Sequence, residues 1–300
     1  MHIELVIELS ITYNLIMKSN TYNVRKDISF IQEITGDSLE DIAKNTSLSR
    51  RSIQYAFIDE PTNNVLEKLY TYIYKCSYRL SKAKCEIFTE GLKDNEMLFF
   101  HGSKYGFDRI QYNGSRNDSD FSNGFYCSGN LDSAISFVED IKHSSVYVYK
   151  ADISNLNIYE LDCDLDWMLA ISYYRNKISD YADNQMIKRI IYKIDSSDIV
   201  IAPIADNKMF EILNQFANGE ITTDQAIHCL SASRLGKQHV FKTKKAVNSL
   251  KFLDRFYLCD LERESSKSFS IDNANIIQTK LDFSKREYRG KGKYIDELFK

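Results

Sequence analysis

The sequence predicts an α+β protein in which a small helical region precedes a larger region of mixed helices and strands. The helical prediction rests on residues 27–92, where apolar residues recur at helical spacing and capping residues stand at the breaks. The strand prediction rests on short apolar or β-forming runs, of which 97–100 and 145–151 are the clearest. We therefore predict two domains, an all-α domain over 1–91 and a mixed domain over 92–300.

Composition narrows the classes of function. The 300 residues are 43% hydrophobic and carry a formal net charge of -3, so a sizeable core is possible and no general attraction to nucleic acid or to an anionic membrane is expected. The six cysteines include no C-x-x-C pair and no zinc-finger spacing, which predicts reduced thiols, no metal site and a cytoplasmic location. Residues 1–17 lack the features of a signal peptide or a membrane span, and Met17 is a second candidate start.

The helical region contains a pattern typical of two capped helices joined by a short turn. Ser38, with Asp41 three residues later, predicts the start of one helix, and Ser49 predicts the cap of a short helix over 50–58. The order Ser-Leu-Glu-Asp-Ile-Ala, followed by Leu-Ser-Arg-Arg-Ser-Ile, resembles the repressor-type helix-turn-helix family. Ser47 stands where that family usually has the glycine of the turn.

The short second helix offers three candidate contacts to DNA. Arg50, Arg51 and Gln54 are residue types that bind base edges and phosphates. Between Val24 and Glu90, however, ten basic residues are balanced by ten acidic ones, so the positive surface expected of a DNA-binding domain is missing. A protein-docking or purely structural helical module is therefore the favoured alternative to operator binding.

Two segments of the larger region suggest a ligand pocket. The run Phe99-Phe100-His101-Gly102-Ser103 is a short strand that ends in a ring nitrogen, a bare backbone and a hydroxyl, and glycine lets a ligand approach the main chain closely. In the second segment, Asp120-Phe121-Ser122-Asn123-Gly124-Phe125-Tyr126, the last two rings point to opposite faces if the chain is extended. One ring would enter the core, and the other would be able to stack on a flat ligand.

These segments resemble motifs of a bacterial family of the ADP-ribosyltransferase fold, the DUF3990-like proteins. That family carries an F-H-G-S strand and a D-F-G-x-G-F-Y segment, and Ser122 stands here in place of one glycine. Further matches at 167–175, 201–207 and 238–243 follow in the expected order, so the resemblance runs from about Met97 to about Leu261. It implies a split mixed β-sheet core with surrounding helices.

The resemblance also implies NAD+ as substrate and transfer of ADP-ribose to an unknown acceptor, a protein or a nucleic acid, as in a toxin or a phage-defence effector. Breaking the bond between nicotinamide and ribose leaves positive charge on the sugar, which such an enzyme must stabilise. His101 would bind the ribose, Tyr126 would stack on the nicotinamide, and Gln238 would stand where many transferases of this fold carry a glutamate. The remaining implied NAD+ contacts are Gly102, Ser103, Arg116, Phe125, Arg175 and Asp206.

The glutamine leaves alternatives open. Gln238 can form hydrogen bonds but has no charge, so Asp206, Glu211 or a group of the substrate would have to supply the missing negative charge. Asp206 could instead cap the helix that follows it, and the histidine and tyrosine could be structural. Two other functions remain: a helix-turn-helix regulator whose transferase fold only senses a nucleotide, and a catalytically silent interaction protein.

The remaining pattern completes the α+β prediction. Beyond the two motif segments we expect helices over 131–141, 164–179, 209–218, 223–230 and 246–253, strands over 145–151, 199–204, 239–241 and 256–261, and a basic, solvated tail over 285–293.

Overall fold

The structure is a computed structural model that describes residues 21–76, 79–115, 119–205, 207–231 and 236–300, without the side chains of 207, 208, 269–277 and 280. The expectations for residues 1–17 therefore lie outside the described residues. Contacts divide the chain into two compact units that alternate along the sequence. The first takes its described residues from 1–109, 130–152 and 250–268, and the second from 110–129, 153–249 and 269–300. The division at residue 91 stays a prediction.

The described helices and strands are numbered here in chain order. They are α1 Val24–Thr35, α2 Leu39–Thr46, α3 Arg50–Tyr55, α4 Asn63–Lys75, α5 Leu80–Glu90, β1 Glu96–Ser103, β2 Phe125–Ser128, α6 Leu131–Ser136, β3 Ser145–Asp152, β4 Ile158–Glu160, α7 Leu165–Tyr174, α8 Gln185–Asp195, β5 Ile199–Pro203, α9 Asn207–Ala217, α10 Thr223–Leu230, β6 Lys237–Phe241, α11 Lys244–Ser249, β7 Lys251–Tyr257, α12 Asp260–Glu287 and α13 Ile295–Leu298. A short 3-10 turn lies at Ser179–Tyr181.

The first unit combines the N-terminal helices with an antiparallel arrangement of β1, β3 and β7. β3 pairs on one side with β1 and on the other side with β7. Its residues Ser145–Ala151 are rich in β-branched and aromatic side chains and are almost all buried, as expected for a strand paired on both edges. Helix α6 packs against β1 through Ala134 and Val138, the latter just beyond its end.

The predicted caps of the N-terminal helices are confirmed. Ser38 accepts a hydrogen bond from the Asp41 amide while the Asp41 carboxylate accepts one from the Ser38 amide, which satisfies two donors at the start of α2. The Ser49 side chain caps α3 by accepting a hydrogen bond from the Ser52 amide. Ser47 adopts a left-handed conformation with φ of 54°, which explains why a glycine is usual in such a turn.

A cluster of buried charges connects α1 and α5 with β7. The Lys84 ammonium lies 2.6 Å from an Asp27 carboxylate oxygen and 2.5 Å from one of Asp254, and all three side chains are at most 4% exposed. The Tyr70 hydroxyl also donates a hydrogen bond to Asp27, at 2.6 Å. Burial by itself lowers the pKa of Lys84, but the carboxylates of Asp254 and Asp27 raise it above its ordinary value.

The second unit contains four strands in the order β4-β5-β6-β2. β4 runs parallel to β5, whereas β6 is antiparallel to both β5 and β2. Helix α7 supplies the centre of the core, because Trp167, Met168, Leu169, Ala170 and Ile171 are all fully buried. An apolar run on every side of a helix requires such burial, so the sequence pattern and the packing agree.

The mixed α and β content predicted from the sequence is confirmed, and most predicted helices and strands are present within a few residues. The predicted strand over 145–151 is β3, and the predicted helix over 223–230 is α10. No helix among the described residues has the length and apolar character that crossing a bilayer requires.

Three predicted elements are wrong in their extent. The helix expected over 131–141 ends at Ser136, and Phe137 is exposed, because the chain must turn within eight residues to begin β3. The helix expected over 246–253 ends at Ser249, and β7 begins at Lys251 rather than at Phe256. Pairing with β3 overrides the helical pattern at this point.

The basic tail is largely exposed, as predicted, but it is not a free end. Helix α12 extends to Glu287, and the segment after it contacts α10 within the second unit. The Thr223 amide donates to the Lys293 carbonyl at 2.9 Å, and the Gln225 side chain donates to the Lys285 carbonyl at 2.6 Å. Tyr288 stacks on His228 with ring centroids 3.5 Å apart. The prediction rests on the charged side chains of the tail, which do not show that the Lys285 and Lys293 carbonyls bond to α10.

Replacing Lys84 by methionine should strongly destabilise the protein. Lys84→Met fills the same space but removes the buried ammonium that Asp27 and Asp254 share, and removing one member of a buried ion cluster costs about 3–5 kcal/mol. Urea denaturation followed by circular dichroism measures the loss. Lys82→Met is the matched control, because Lys82 lies on the same helix as Lys84 but forms an exposed pair with Asp132 of α6, and the loss of that pair should cost at most about 1 kcal/mol. Equal losses in the two variants would contradict the buried cluster.

Candidate functional site

The predicted site residues belong to two different units. His101, Gly102 and Ser103 end strand β1 in the first unit, whereas Tyr126, Arg175 and Gln238 belong to the second. Each group is therefore described within its own unit. Arg116 and Asp206 lie outside the described residues, so their predicted contacts to NAD+ stay predictions.

At the end of β1, the residues of the His-Gly-Ser motif have clear local roles. His101 is partly exposed, and its ring meets Phe107 edge-on with centroids 5.3 Å apart. A side chain at Gly102 would approach the Ala134 carbonyl to 2.5 Å, so glycine is required here for packing against α6. The Ser103 hydroxyl accepts a hydrogen bond from the Gly106 amide. Close packing against α6 therefore explains why residue 102 is a glycine. Its predicted contact to NAD+ stays a prediction.

The segment before β2 is held by its own hydrogen bonds. The Tyr126 hydroxyl donates to the Ser122 carbonyl at 2.7 Å and accepts from the Phe121 amide at 3.0 Å. The Ser115 hydroxyl donates to the Ser122 carbonyl and accepts from the Gly124 amide. These bonds restrain the backbone of the described part of the segment and the ring of Tyr126. Burial raises the pKa of the Tyr126 hydroxyl, so it stays protonated and remains a donor.

Two unusual backbone positions shape this segment. Ser122 adopts a left-handed conformation with φ of 61°, at the position where the resembled family usually has glycine. Gly124 leaves room for β6, because a Cβ atom there would lie 2.4 Å from a methyl group of Val240. Phe125 is buried and Tyr126 is partly exposed, which agrees with the prediction that the two rings point in opposite directions. Stacking of Tyr126 on a ligand stays a prediction.

Asp120 connects the segment to a helix and a strand. One carboxylate oxygen accepts hydrogen bonds from Nε and Nη2 of Arg175 at 3.1 and 2.6 Å, and the other accepts from the side-chain amide of Gln238 at 3.1 Å. Arg175 directly follows α7, and Gln238 lies in β6. Two predicted site residues are therefore brought together by a third that the sequence analysis left without a role of its own.

The geometry at Gln238 explains why a glutamine rather than a glutamate fits this position. Its amide nitrogen donates to Asp120 and to the Pro203 carbonyl, both at 3.1 Å, and these two groups can only accept. Trp167 donates to the same carbonyl at 3.3 Å. A carboxylate at 238 would face a second carboxylate and a carbonyl with no proton between them. Gln238 thus acts as an obligatory donor in a buried network.

The structure shows further contacts around the segment that the sequence analysis missed. Lys242 donates to the Phe121 carbonyl at 2.8 Å and lies 3.2 Å from an Asp195 carboxylate oxygen. Burial lowers the pKa of this lysine, although Asp195 opposes the shift. Lys242 lies within the motif match at 238–243, but the match assigned it no role, and only tertiary structure shows its contacts. Burial also raises the pKa of the Cys127 thiol, which disfavours a nucleophilic thiolate.

Replacing Gln238 by glutamate should destabilise the chain by about 2–4 kcal/mol at pH 7, because a second carboxylate would replace the donor to Asp120. The loss should shrink as the pH falls, since the new carboxyl group regains a donor when it takes up a proton. Denaturant unfolding at pH 7 and pH 5 measures both effects. Gln238→Met is the control, because it removes the donor without adding charge and should show no such pH dependence. If Gln238→Glu were as stable as the wild type at pH 7, the hydrogen bond from Gln238 to Asp120 would be excluded.

The neighbouring His239 should make the chain less stable in acid. Burial lowers the pKa of its imidazole from 6.5 to about 4. Between these values the unfolded chain takes up a proton that the folded chain does not, so stability falls as the pH falls, by about 2 kcal/mol between pH 8 and pH 5. His239→Leu should remove this part of the pH dependence in urea denaturation. His228→Leu, which replaces an exposed histidine of the same unit, should retain it; the opposite pattern would contradict the assignment.

Comparison with known proteins assigns a family. The family model of DUF3990, described as a protein of unknown function, matches residues 97–252, just over half of the chain. The matched region contains β1 with its His-Gly-Ser end, the segment ordered around Asp120, and Gln238 in β6. Searches of curated proteins and of solved structures give no match. The motifs and the family match agree, and the chain belongs to the DUF3990 family.

Proposed function

We propose that the chain is an NAD+-dependent ADP-ribosyltransferase that transfers ADP-ribose to a protein or a nucleic acid. The observation that carries the proposal is the network around Asp120, which holds Arg175, Gln238 and the Tyr126 segment in one arrangement within the second unit. The resemblance of the ordered motifs to the ADP-ribosyltransferase fold supports it, whereas the description of the DUF3990 family names no activity. Catalysis by stabilising charge requires polar groups that are already in place before the reaction, and this network supplies such groups.

The network also addresses the missing negative charge at position 238. The amide nitrogen of Gln238 donates to the Asp120 carboxylate, and a hydrogen bond of this kind shifts electron density towards the amide oxygen. That oxygen has no hydrogen-bond partner among the described residues. It would accept from a ribose hydroxyl and place partial negative charge near the sugar as the bond to nicotinamide breaks. Asp120 would act as a positioning residue for Gln238, not as a group in contact with NAD+.

Two ring contacts are predicted in addition to the network. Tyr126 is partly exposed, and its hydroxyl bonds fix the direction of its ring, so stacking on the nicotinamide would not require the ring to be ordered on binding. His101, at the end of β1, would hydrogen-bond the ribose. The departing nicotinamide is neutral and needs no general acid, which suits a site whose tyrosine stays protonated.

Incubation with labelled NAD+ and cell extract tests the proposal. The wild-type chain should transfer label and release nicotinamide, and His101→Ala and Gln238→Ala should each lower the rate about 100-fold, the loss typical of one transition-state contact. Tyr192→Ala is the matched control, because Tyr192 is 75% exposed on α8 and should leave the rate unchanged. Thermal melting of each variant shows that it is folded. No transfer and no nicotinamide release from a folded wild-type chain would contradict the proposal.

A transcriptional regulator is the second candidate, and one observation favours it. Arg50, Arg51 and Gln54 are all exposed on the short helix α3, whose inner residue Ile53 is fully buried. Arg50 lies 3.6 Å from the exposed Glu40, a pair weak enough for a phosphate to displace. A gel shift at low salt with DNA from upstream of the chain's own gene separates the two candidates. Binding by the wild type that is lost in Arg51→Ala would favour the regulator, and no binding would leave the transferase.

A further inference from the structure

A cavity of about 160 Å³ lies between α7 and α9, entirely within the second unit. The residues that line it are Ile171, Ser172, Arg175, Lys177, Phe210, Leu213 and Asn214. Of the predicted NAD+ contacts that the structure describes, only Arg175 is among them. The cavity combines an apolar wall with a small number of polar groups, which is the usual composition of a ligand site.

The most informative lining residue is Ser172. It is 1% exposed, and its hydroxyl has no hydrogen-bond partner among the described residues. A buried serine in or beside a helix usually donates to a carbonyl three or four residues earlier, as Ser197, just beyond the end of α8, does by donating to the Ile194 carbonyl at 2.8 Å. Leaving a buried hydroxyl unpaired is unfavourable, so an acceptor on a ligand would correct a real deficit at Ser172.

The charged groups around the cavity favour an anion. Arg175 stacks on the Phe210 ring with its guanidinium carbon 3.8 Å from the ring centroid, and its Nε and Nη2 atoms bond to Asp120. Its Nη1 group has no acceptor in the described part of the chain. Because Asp120 balances the charge of Arg175, the exposed Lys177 supplies the net positive charge. None of the described residues that line the cavity is acidic.

The remaining wall sets the size and shape of the ligand. Ile171 and Leu213 are buried and apolar, and Phe210 adds an aromatic side chain to the lining. An apolar cavity of about 150 Å³ holds a benzene molecule in another protein, whereas drug-sized ligands occupy about 300–1,000 Å³. The space therefore suits one ring or a short branched chain and is too small for a dinucleotide.

We propose that this cavity binds a compact organic anion, a carboxylate or phosphate on an apolar body of about the size of one aromatic ring. The anionic group would accept hydrogen bonds from Ser172 and from the Nη1 group of Arg175, close to Lys177. The apolar body would lie against Ile171 and Leu213. The proposal does not depend on the transferase activity, and it gives the chain a second ligand site that could report the level of a small metabolite.

Isothermal titration calorimetry tests the proposal with benzoate and phenyl phosphate as anionic probes and benzyl alcohol as a neutral probe. At least one anion should bind, at least tenfold more tightly than benzyl alcohol. Comparison of benzoate with phenyl phosphate shows which anionic group the cavity prefers. Ser172→Ala should weaken binding of that anion about tenfold, the size of one hydrogen bond to a charged acceptor. Lys177→Gln should weaken it about threefold and reduce its dependence on salt.

Ser197→Ala is the matched control, because it removes a buried hydroxyl that already has a partner. It should lower the melting midpoint and leave anion binding unchanged, whereas Ser172→Ala should not lower the midpoint although it weakens binding. Three results would overturn the proposal: no binding of either anion at about 10 mM, where a millimolar ligand would be largely bound; equal binding by wild type and Ser172→Ala; or displacement of the anion by saturating NAD+. The last would assign the cavity to the dinucleotide instead.

Discussion

The hydrogen bonds to the Asp120 carboxylate are the interaction on which the candidate site depends. One oxygen accepts from the guanidinium of Arg175 and the other from the amide of Gln238, so a loop, the end of a helix and a strand meet at one buried anion. A buried carboxylate is stable only when its oxygens are paired, and this requirement determines which residue types can surround it. It makes the donor at position 238 a structural necessity as well as a candidate for chemistry.

The segment that follows Asp120 shows how a strained backbone is maintained at such a site. Ser122 adopts a left-handed conformation that costs about 1–2 kcal/mol for a residue with a side chain. Its carbonyl accepts hydrogen bonds from both Tyr126 and Ser115, which offset that cost. The result is a tyrosine ring whose direction is determined before any ligand arrives. Preorganisation of this kind reduces the entropy lost on binding, which is consistent with the proposed role of the segment.

The first unit is organised by a different set of charges. Lys84 is completely buried between two aspartates, one from helix α1 and one from strand β7. These elements are more than 200 positions apart in the chain, so the N-terminal helices and a strand near the C-terminal end share one electrostatic cluster. A helix-turn-helix attached only by a linker would not need such a cluster. The buried charges therefore show how closely the N-terminal helices are integrated into the first unit, whichever partner they bind.

The sequence by itself determined the α+β class, the capped helices at Ser38 and Ser49, the buried strand at 145–151 and the motifs that indicate the family. These features arise from local periodicity, from capping chemistry and from short ordered motifs, all of which act between residues near one another in the chain. Only tertiary structure decided that Gln238 must donate to Asp120, that β7 takes the place of the last residues of a predicted helix, and that a buried hydroxyl lacks a partner among the described residues. These are interactions between distant segments, and their energies depend on burial and on the partner supplied, which no local pattern contains.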